Sequence, residues 1–257
     1  MNPTYADFVA AIRQQGETVP SRHGSTVELL GTRITSKHGE MLDRENTNYN
    51  VGYCESLGLI AGVYDLHALH TLAPNAQHVL FTHAMAYGPR TTLQVPRVIE
   101  KLKVDPDSRQ CVIYIGKPED GVTNDQPCTT SMQVILRNNT LGGFVNMRSN
   151  DVIKGTPPDL MMFHTLIGCM AHCLHVKPGP VVLTCGSSHI YVRDIGRVIR
   201  PTTRYFSIAP NVPDDWAILR DWALKQLETP LDWPTAEGRS HRIPPLYLEH
   251  LFTYPVE

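Results

Sequence analysis

Residues 126–159 read QPCTTSMQVILRNNTLGGFVNMRSNDVIKGTPPD, and they combine strand patterns with a thiol, an arginine and carboxyl side chains. The runs 130–136 and 141–147 carry the β-branched and apolar residues of strands, and the polar turn between them predicts a hairpin. Cys128 comes just before the first strand and Arg148 just after the second. Because one strand of a hairpin starts where the other ends, we expect these two side chains to lie at the same end.

The segment that follows, TPPDLMMFHTLIGCMAHCLHVKPG at 156–179, predicts a long buried helix, since apolar residues cover most of its circumference. Thr156 is a candidate N-cap, Pro157 suits the first turn and Gly179 lies beyond the end. Asp159 falls in the first turn, where a carboxylate can complement the unpaired N–H groups and the helix dipole. A functional role for Asp159 is an equal alternative at this point.

The composition is that of one folded domain. With 257 residues, 42% hydrophobic and 19% charged, the chain can bury a sizeable core, and we assign residues 1–257 to a single domain. A formal net charge of −2 argues against polymeric nucleic acid or an anionic membrane as partner and favours a free nucleotide. The chain has neither an apolar run of transmembrane length nor a signal pattern, so we expect a cytoplasmic protein.

The cysteines and histidines do not suggest a metal centre. The six cysteines are scattered along a chain too large to need disulfides, which predicts reduced thiols. Cys169, His172, Cys173 and His175 would point to several faces of one helix and lack a second ligand pair. We therefore predict no metal.

At three further sites the sequence allows either a structural or a functional role. Glu55 lies on a short, otherwise apolar helix, as an end-of-helix charge or as a buried carboxylate held for proton transfer. Arg22 lies in a loop leading into a strand, where a solvated charge is the ordinary interpretation. His189 and Tyr191, two apart, would share one face of an extended segment and could hold a hydroxyl-bearing ligand, or form a polar strand end.

Seven motifs, taken in order, resemble those of the thymidylate synthase family, and within it the phage deoxycytidylate hydroxymethylases. They are SRHGSTVELLG, ESLGLIAG, AYG, DPDSR, QPC, NMRSNDVIKG and GSSHIY. The resemblance runs from Ser21 to Tyr191 and leaves 192–257 as a divergent C-terminal segment. It implies an α+β fold, with a mixed sheet packed against the long buried helix and two such sheets back to back in a homodimer.

The resemblance also implies residue roles. The implied catalytic residues are Cys128 as the nucleophile, Glu55 as the proton relay, Asp159 and Tyr87. The implied substrate-binding residues are Arg22, Arg109, Arg148, Ser149, Asp151, Asp159, His189 and Tyr191. Among these, Arg22, Arg148 and Ser149 would hold the 5′-phosphate and Arg109 would reach it from the partner subunit. Guanidinium groups suit a phosphate because they give paired, charge-assisted hydrogen bonds. The implied cofactor is 5,10-methylenetetrahydrofolate.

Departures from the family pattern narrow the substrate. Asp159 stands where synthases acting on deoxyuridylate present Asn, and a protonated Asp can donate to cytosine N3 and accept from the exocyclic amine. We therefore expect dCMP as the substrate. Gln110 replaces the family's second arginine, Thr129 replaces a histidine, and no tryptophan occurs between Leu72 and Tyr87. These losses leave the final step of the reaction open.

The expected product is 5-hydroxymethyl-dCMP, formed through a Cys128 adduct at pyrimidine C6. Positive charge from Arg148 should help to form the thiolate. The alternatives are a dCMP 5-methyltransferase, a CMP 5-hydroxymethylase, a dUMP-acting synthase-like enzyme, and a non-catalytic nucleotide- or RNA-binding relative. A phage origin, with the host cytoplasm as the location, is suggested by the resemblance alone.

Overall fold

A computed structural model describes residues 4–44, 49–72, 86–123, 126–200, 204–235 and 242–251. The helices are α1 Tyr5–Gln15, α2 Tyr49–Ala61, α3 Leu66–Leu72, α4 Gly88–Thr91, α5 Val95–Val104, α6 Thr156–Cys173 and α7 Trp216–Glu228. The strands are β1 Glu17–Val19, β2 Thr26–Ser36, β3 Asp43–Arg44, β4 Val112–Tyr114, β5 Thr129–Arg137, β6 Thr140–Asp151, β7 Lys177–Tyr191, β8 Ile199–Arg200, β9 Arg204–Ile208 and β10 Tyr247–Leu251. Short 3₁₀ turns occur at Pro118–Val122, Val192–Asp194 and Pro230–Asp232.

The main sheet has six strands in the order β1-β2-β7-β6-β5-β4. Every neighbouring pair is antiparallel except β6 and β7, which run parallel. Parallel neighbours need a crossover, and here α6 provides it. The prediction of an α+β fold with a mixed sheet and a long buried helix is confirmed.

The sheet has one dry face and one open face. A row of apolar side chains crosses β4, β5, β6, β7 and β2 in register, each 2% exposed or less: Ile113, Met132, Val145, Leu183 and Ile34. The adjacent row is mostly polar and projects from the other face: Tyr114, Ser131, Asn146, Thr184 and Arg33. Such alternation is what a sheet covered on one side requires. The expected back-to-back pairing of two sheets involves a second chain and stays a prediction.

Helix α6 lies between the sheet and α2. On the sheet side, a Cβ at Gly143 would come within 3.1 Å of Ile167, so glycine lets the helix approach the strand. On the other side, a Cβ at Gly52 would lie 2.7 Å from the sulfur of Met161. The expected cap at Thr156 is wrong: the helix starts at that residue, and its hydroxyl donates to Asn150 Oδ1 at 2.9 Å instead of capping an N–H group.

The hairpin is formed as predicted, with antiparallel pairing from Thr129 to Arg137. Asn138 and Asn139 make its turn with φ values of 50° and 58°, a region in which Asn is enriched among non-glycine residues. The strand that follows α6, β7, extends beyond the apolar run at 181–185 and continues to Tyr191. The Gly-Ser-Ser segment stays extended since β2 pairs with it on one side and β6 on the other.

The C-terminal part forms a helix and a two-stranded sheet. Helix α7 is capped by Asp215, whose carboxylate accepts from the backbone N–H of Ala217 at 2.9 Å. Strands β9 and β10 then pair antiparallel. Within the described ranges, no helix is long and apolar enough to cross a bilayer.

Candidate active site

The cysteine of the Gln-Pro-Cys turn is fixed by the residue at the end of the next strand. The backbone N–H of Arg148 donates to the carbonyl of Cys128 at 2.8 Å. Its guanidinium donates to the carbonyls of Pro127 at 3.1 Å and Gln126 at 2.8 Å. The prediction that Cys128 and Arg148 meet at one end of the hairpin is confirmed. Arg148 thus holds the turn that presents the half-buried thiol.

Tyr87 lies beside this turn. Its hydroxyl oxygen accepts a hydrogen bond from the backbone N–H of Thr129 at 3.2 Å, and its ring stacks on Phe163 of α6 at 6.3 Å between centroids. The next residue, Gly88, packs so closely on α2 that a Cβ there would lie 2.3 Å from the carbonyl oxygen of Gly58. Burial raises the pKa of the tyrosine well above its usual value, and nearby Asp159 and Cys128 raise it further. The phenol therefore stays protonated.

A buried ion pair joins the helix after Tyr87 to the loop before the cysteine. Arg90 donates to both oxygens of Asp120, at 2.7 and 2.8 Å, and to the carbonyl of Ile115 at 2.9 Å. The two side chains are only 8% and 12% exposed. The Arg90 bonds are the largest cause lowering the pKa of Asp120. This bidentate pair fixes the distance between two loops that carry candidate site residues.

Two carboxyl groups face this region from α2 and α6. Glu55 lies in the middle of α2, half-buried, and burial raises its pKa well above the usual value, with nearby Asp159 adding to the rise. Burial, followed by the charge of Asp151, raises the pKa of Asp159 to about 7. Neither Glu55 nor Asp159 accepts a hydrogen bond from any described residue. A capping carboxylate would accept N–H bonds and have a lowered pKa, so the structure disfavours capping for Asp159.

The Arg148 guanidinium lowers the pKa of the Cys128 thiol, as expected, but it does not decide the net shift. Burial and the negative charge of Asp159 raise the pKa of the thiol, and the Arg148 guanidinium lowers it by less. Two of the Arg148 N–H groups donate to backbone carbonyls. Without a bound ligand, the Cys128 thiol therefore stays protonated. Neutralising Asp159 would remove the second-largest cause that opposes ionisation.

The parallel pairing of β6 with β7 brings polar residues of the two strands next to each other. Ser149 is in register with Ser187, and Asp151 with His189. The rings of His189 and Tyr191 meet edge to face with 5.3 Å between centroids. Burial lowers the pKa of His189, while Asp151 and Glu28 raise it by less. A neutral imidazole beside a phenol can donate to and accept from hydroxyl groups.

Comparison with known proteins identifies the family. The family model described as thymidylate synthase matches residues 22–214. The chain belongs to the thymidylate synthase family. The match extends beyond Tyr191, where the resemblance of the sequence motifs ended, and includes β8, β9 and the start of the segment before α7. Members of this family bind a pyrimidine nucleoside monophosphate and use methylenetetrahydrofolate.

Three relatives illustrate the range within the thymidylate synthase family. A deoxyuridylate hydroxymethyltransferase of Bacillus phage SP01 is 30% identical over 223 residues, covering 76% of this chain and 58% of the relative. Human thymidylate synthase is 31% identical over 110 residues, covering 42% of this chain and 35% of the relative. That of Mycoplasma genitalium is 28% identical over 120 residues, covering 46% and 42%. The matches therefore span 35–58% of the length of these relatives.

Arg22 and Arg109 were both expected to bind the phosphate. Neither takes part in the contacts described above around Cys128. Arg22 lies exposed in the turn between β1 and β2. Arg109 lies exposed before the edge strand β4, and its carbonyl accepts from the side chain of Gln133 at 2.7 Å. Gln133 is five residues beyond Cys128, so Arg109 is roughly 17 Å away along β5. Most of the stretch between Leu72 and Tyr87, which contains no tryptophan, lies outside the described residues.

Sequence reasoning missed two residues that border the His189–Tyr191 pair. Glu28 is in register with His189 across β2 and β7, and Ser187 donates to its carboxylate at 2.5 Å. The Arg193 guanidinium lies 4.4 Å from the centre of the Tyr191 ring. A signal for Arg193 exists, because it continues the period-two series of His189 and Tyr191. The pairing of Glu28 depends on strand register and leaves no local signal.

The described residues contain no group of three or more His, Cys, Asp or Glu side chains placed to hold a metal ion. This arrangement offers the thiol of Cys128, two carboxyl groups of raised pKa, the phenol of Tyr87 and the nearby guanidinium of Arg148.

Proposed function

We propose that this protein transfers a one-carbon unit from 5,10-methylenetetrahydrofolate to C5 of dCMP and releases 5-hydroxymethyl-dCMP. The observation that carries the proposal is the pair formed by Cys128 and Asp159. They are close enough for the carboxylate to raise the pKa of the thiol, and the pKa of Asp159 itself is about 7. A nucleophile and a proton-sharing acid beside it are what addition to an amino-bearing pyrimidine needs.

The choice of cytosine rests on what Asp159 can donate. With a pKa of about 7, a large fraction of this carboxyl is protonated at neutral pH. The protonated form can donate to cytosine N3 while its carbonyl oxygen accepts from the exocyclic amine. Uracil presents an N3–H and an O4, and a carboxylate oxygen facing O4 would be repelled. Asp159 therefore favours the cytosine edge over the uracil edge.

The other candidate residues are assigned to the phosphate, the sugar and the loop before Asp159. Arg22, Arg148 and Ser149 are proposed to bind the 5′-phosphate, and His189 with Tyr191 the sugar hydroxyl. Asp151 lies in register with His189, and its carboxylate accepts from the backbone N–H groups of Ile153 and Lys154 at 3.0 and 2.9 Å. We assign Asp151 to positioning the loop that leads to Asp159.

In the proposed mechanism, the Cys128 thiol gives its proton to solvent as the nucleotide binds, and its sulfur adds to pyrimidine C6, which makes C5 nucleophilic. Asp159 takes up a proton from solvent in order to donate to cytosine N3, and this removes a charge that opposes the ionisation of Cys128. Methylenetetrahydrofolate, when bound, would supply the one-carbon unit at C5. Glu55 fits such a partner as a proton carrier, because it is half-buried and has a pKa that burial and nearby Asp159 raise.

The last step decides the product. After C5 has lost its proton and the folate has left, the pyrimidine carries an electrophilic exocyclic methylene. Addition of water there gives the hydroxymethyl group, whereas hydride addition gives a methyl group. Release of Cys128 from C6 then restores the thiol. We assign Glu55 to the proton transfers and to orienting the attacking water.

We further propose that two copies of the chain pair through the open face of the sheet, with Arg109 reaching the partner's phosphate site. Tyr114 and Phe144, 62% and 37% exposed, lie on this face. Arg109 is at the β4 edge, remote from Cys128 of its own chain, as a residue shared across an interface would be. The proposal requires Arg109 to act in trans.

A second candidate is hydroxymethylation of dUMP. It is favoured by the relative from Bacillus phage SP01, which is named a deoxyuridylate hydroxymethyltransferase. The two candidates share the Cys128 chemistry and differ in what Asp159 contacts.

The test is incubation with dCMP, CMP or dUMP plus methylenetetrahydrofolate, followed by mass analysis of the nucleotide. We expect dCMP to gain one CH₂O unit, with no gain in a Cys128→Ala control. A product from dUMP alone would establish the second candidate, and gain of a methyl group alone would reject hydroxymethylation. Asp159→Asn should shift preference toward dUMP, because an amide can accept from N3–H and donate to O4.

A further inference from the structure

The loop that carries Arg22 is a compact turn. The Ser21 hydroxyl donates to the carbonyl of Gly24 at 2.5 Å, and the backbone N–H of Gly24 returns to the carbonyl of Ser21 at 3.3 Å. Gly24 has φ +114°, a conformation that residues with a side chain rarely adopt. The turn therefore has a defined shape, and its attachment to the body determines where Arg22 can reach.

Arg193 attaches this turn to the sugar side of the site. Its Nη1 donates to the carbonyl of His23, the residue after Arg22, at 2.8 Å. The same guanidinium lies over the ring of Tyr191 at 4.4 Å, which is cation–π distance. The neighbouring residue, Val192, adds a backbone bond to the carbonyl of Ser25 at 3.0 Å. One guanidinium thus contacts both the proposed sugar clamp and the backbone of the proposed phosphate loop.

The side chain of Arg193 is itself held by an ion pair. Its Nε lies 3.7 Å from Asp194, whose side chain is only 4% exposed. Lys154 and Arg197 also pair with this carboxylate, at 2.7 and 3.3 Å. Asp194 therefore remains paired when one of its cations is removed. Arg197 provides a matched control because, among the described residues, its side chain bonds to Asp194 alone.

We infer that Arg193 is a positioning residue that holds the Arg22 loop against Tyr191, so that phosphate and sugar are bound as one unit. This inference rests on the proposed role of Arg22 in phosphate binding. It assigns Arg193 no contact with the reacting atoms. Its effect should appear in nucleotide affinity, pass through Arg22, and leave the chemical step at saturation nearly unchanged.

The experiment is a double-mutant cycle on nucleotide binding, with dCMP and dUMP each titrated into the full-length protein by calorimetry. Loss of one hydrogen bond and one cation–π contact should weaken binding by about tenfold in Arg193→Ala. In an Arg22→Ala background the same change should cost less than about twofold, since the loop then has no phosphate ligand to position. Arg193→Lys should recover part of the affinity, and Arg197→Ala should stay within about twofold of wild type.

A second readout follows the loop directly. Trypsin cleaves after Arg22, and Arg193→Ala should speed that cleavage relative to both wild type and Arg197→Ala, because the loop loses its bond to His23. Equal cleavage rates, or additive losses of affinity in Arg193→Ala and Arg22→Ala, would overturn the inference.

Failure of the proposed function gives a different pattern from failure of this inference. If the cycle shows coupling but no nucleotide gains a one-carbon unit, the role of Arg193 stands and the catalytic proposal falls. If wild type forms product but the losses are additive, the reverse holds. A wild-type protein that binds neither nucleotide would overturn both.

Discussion

Asp159 should make the stability of this protein fall with rising pH, and Asp159→Asn should remove that fall. Folding raises the pKa of this carboxyl from 3.8 to about 7. A group whose pKa is raised on folding binds its proton more tightly in the folded state, so its stabilising effect is complete below the unfolded pKa. That effect is lost as the pH rises through the folded pKa.

The magnitude follows from the shift. A difference of about three pKa units corresponds to about 4 kcal/mol over the whole titration. Between pH 5.5 and pH 8, linkage with these two pKa values gives a loss of about 2 kcal/mol from this single group. Because Asp159 is partly exposed, water should reduce the loss to about 1 to 2 kcal/mol.

The assay is urea unfolding at fixed protein concentration at both pH values, for wild type and for Asp159→Asn. We expect the wild type to lose about 1 to 2 kcal/mol more than the variant on going from pH 5.5 to pH 8. Asp105→Asn, which removes an exposed carboxyl after α5, is the matched control and should follow the wild type. Parallel pH dependence in wild type and Asp159→Asn would refute the raised pKa and, with it, the argument for cytosine.

Three further predictions test the site. Asp151→Asn should lower the pKa of Asp159, because it removes the second cause of the rise, and a pH–activity profile with an unmoved inflection would contradict that coupling. Arg90→Met should cost about 3 kcal/mol in urea unfolding, since it leaves Asp120 buried without its partner, and a loss below about 1 kcal/mol would show that the pair is not needed. Mixing Arg109→Ala with Cys128→Ala protein should restore activity that neither has alone, whereas mixtures without activity would count against a site shared between subunits.

The elements that follow from local periodicity could be predicted from the sequence. The hairpin around residues 126–151 and the buried helix α6 are specified by nearby residues, through strand patterning, a turn of two asparagines and a continuous apolar surface. The meeting of Cys128 and Arg148 follows from the hairpin alone, which explains why that part of the site could be placed in advance.

What could not be predicted depends on contacts between distant segments. The length of β7 is set by pairing with β2 and β6, which overrides a Gly-Ser-Ser run that resembles a turn. The net effect on the Cys128 thiol depends on burial and on Asp159, and neither can be read from the positive charge of Arg148. The contact between Arg193 and the Arg22 loop joins residues 170 positions apart. The shift in the pKa of Cys128 and the contacts between distant segments could therefore not be predicted from the sequence.

The most direct test of the central claim is release of tritium from C5-labelled dCMP and dUMP in the presence of methylenetetrahydrofolate. Sulfur addition at C6 is what labilises the C5 hydrogen, and Asp159 is what should select the base. We expect release from dCMP to exceed release from dUMP and to vanish in Cys128→Ala. Release confined to dUMP, or release that survives Cys128→Ala, would contradict the assignment.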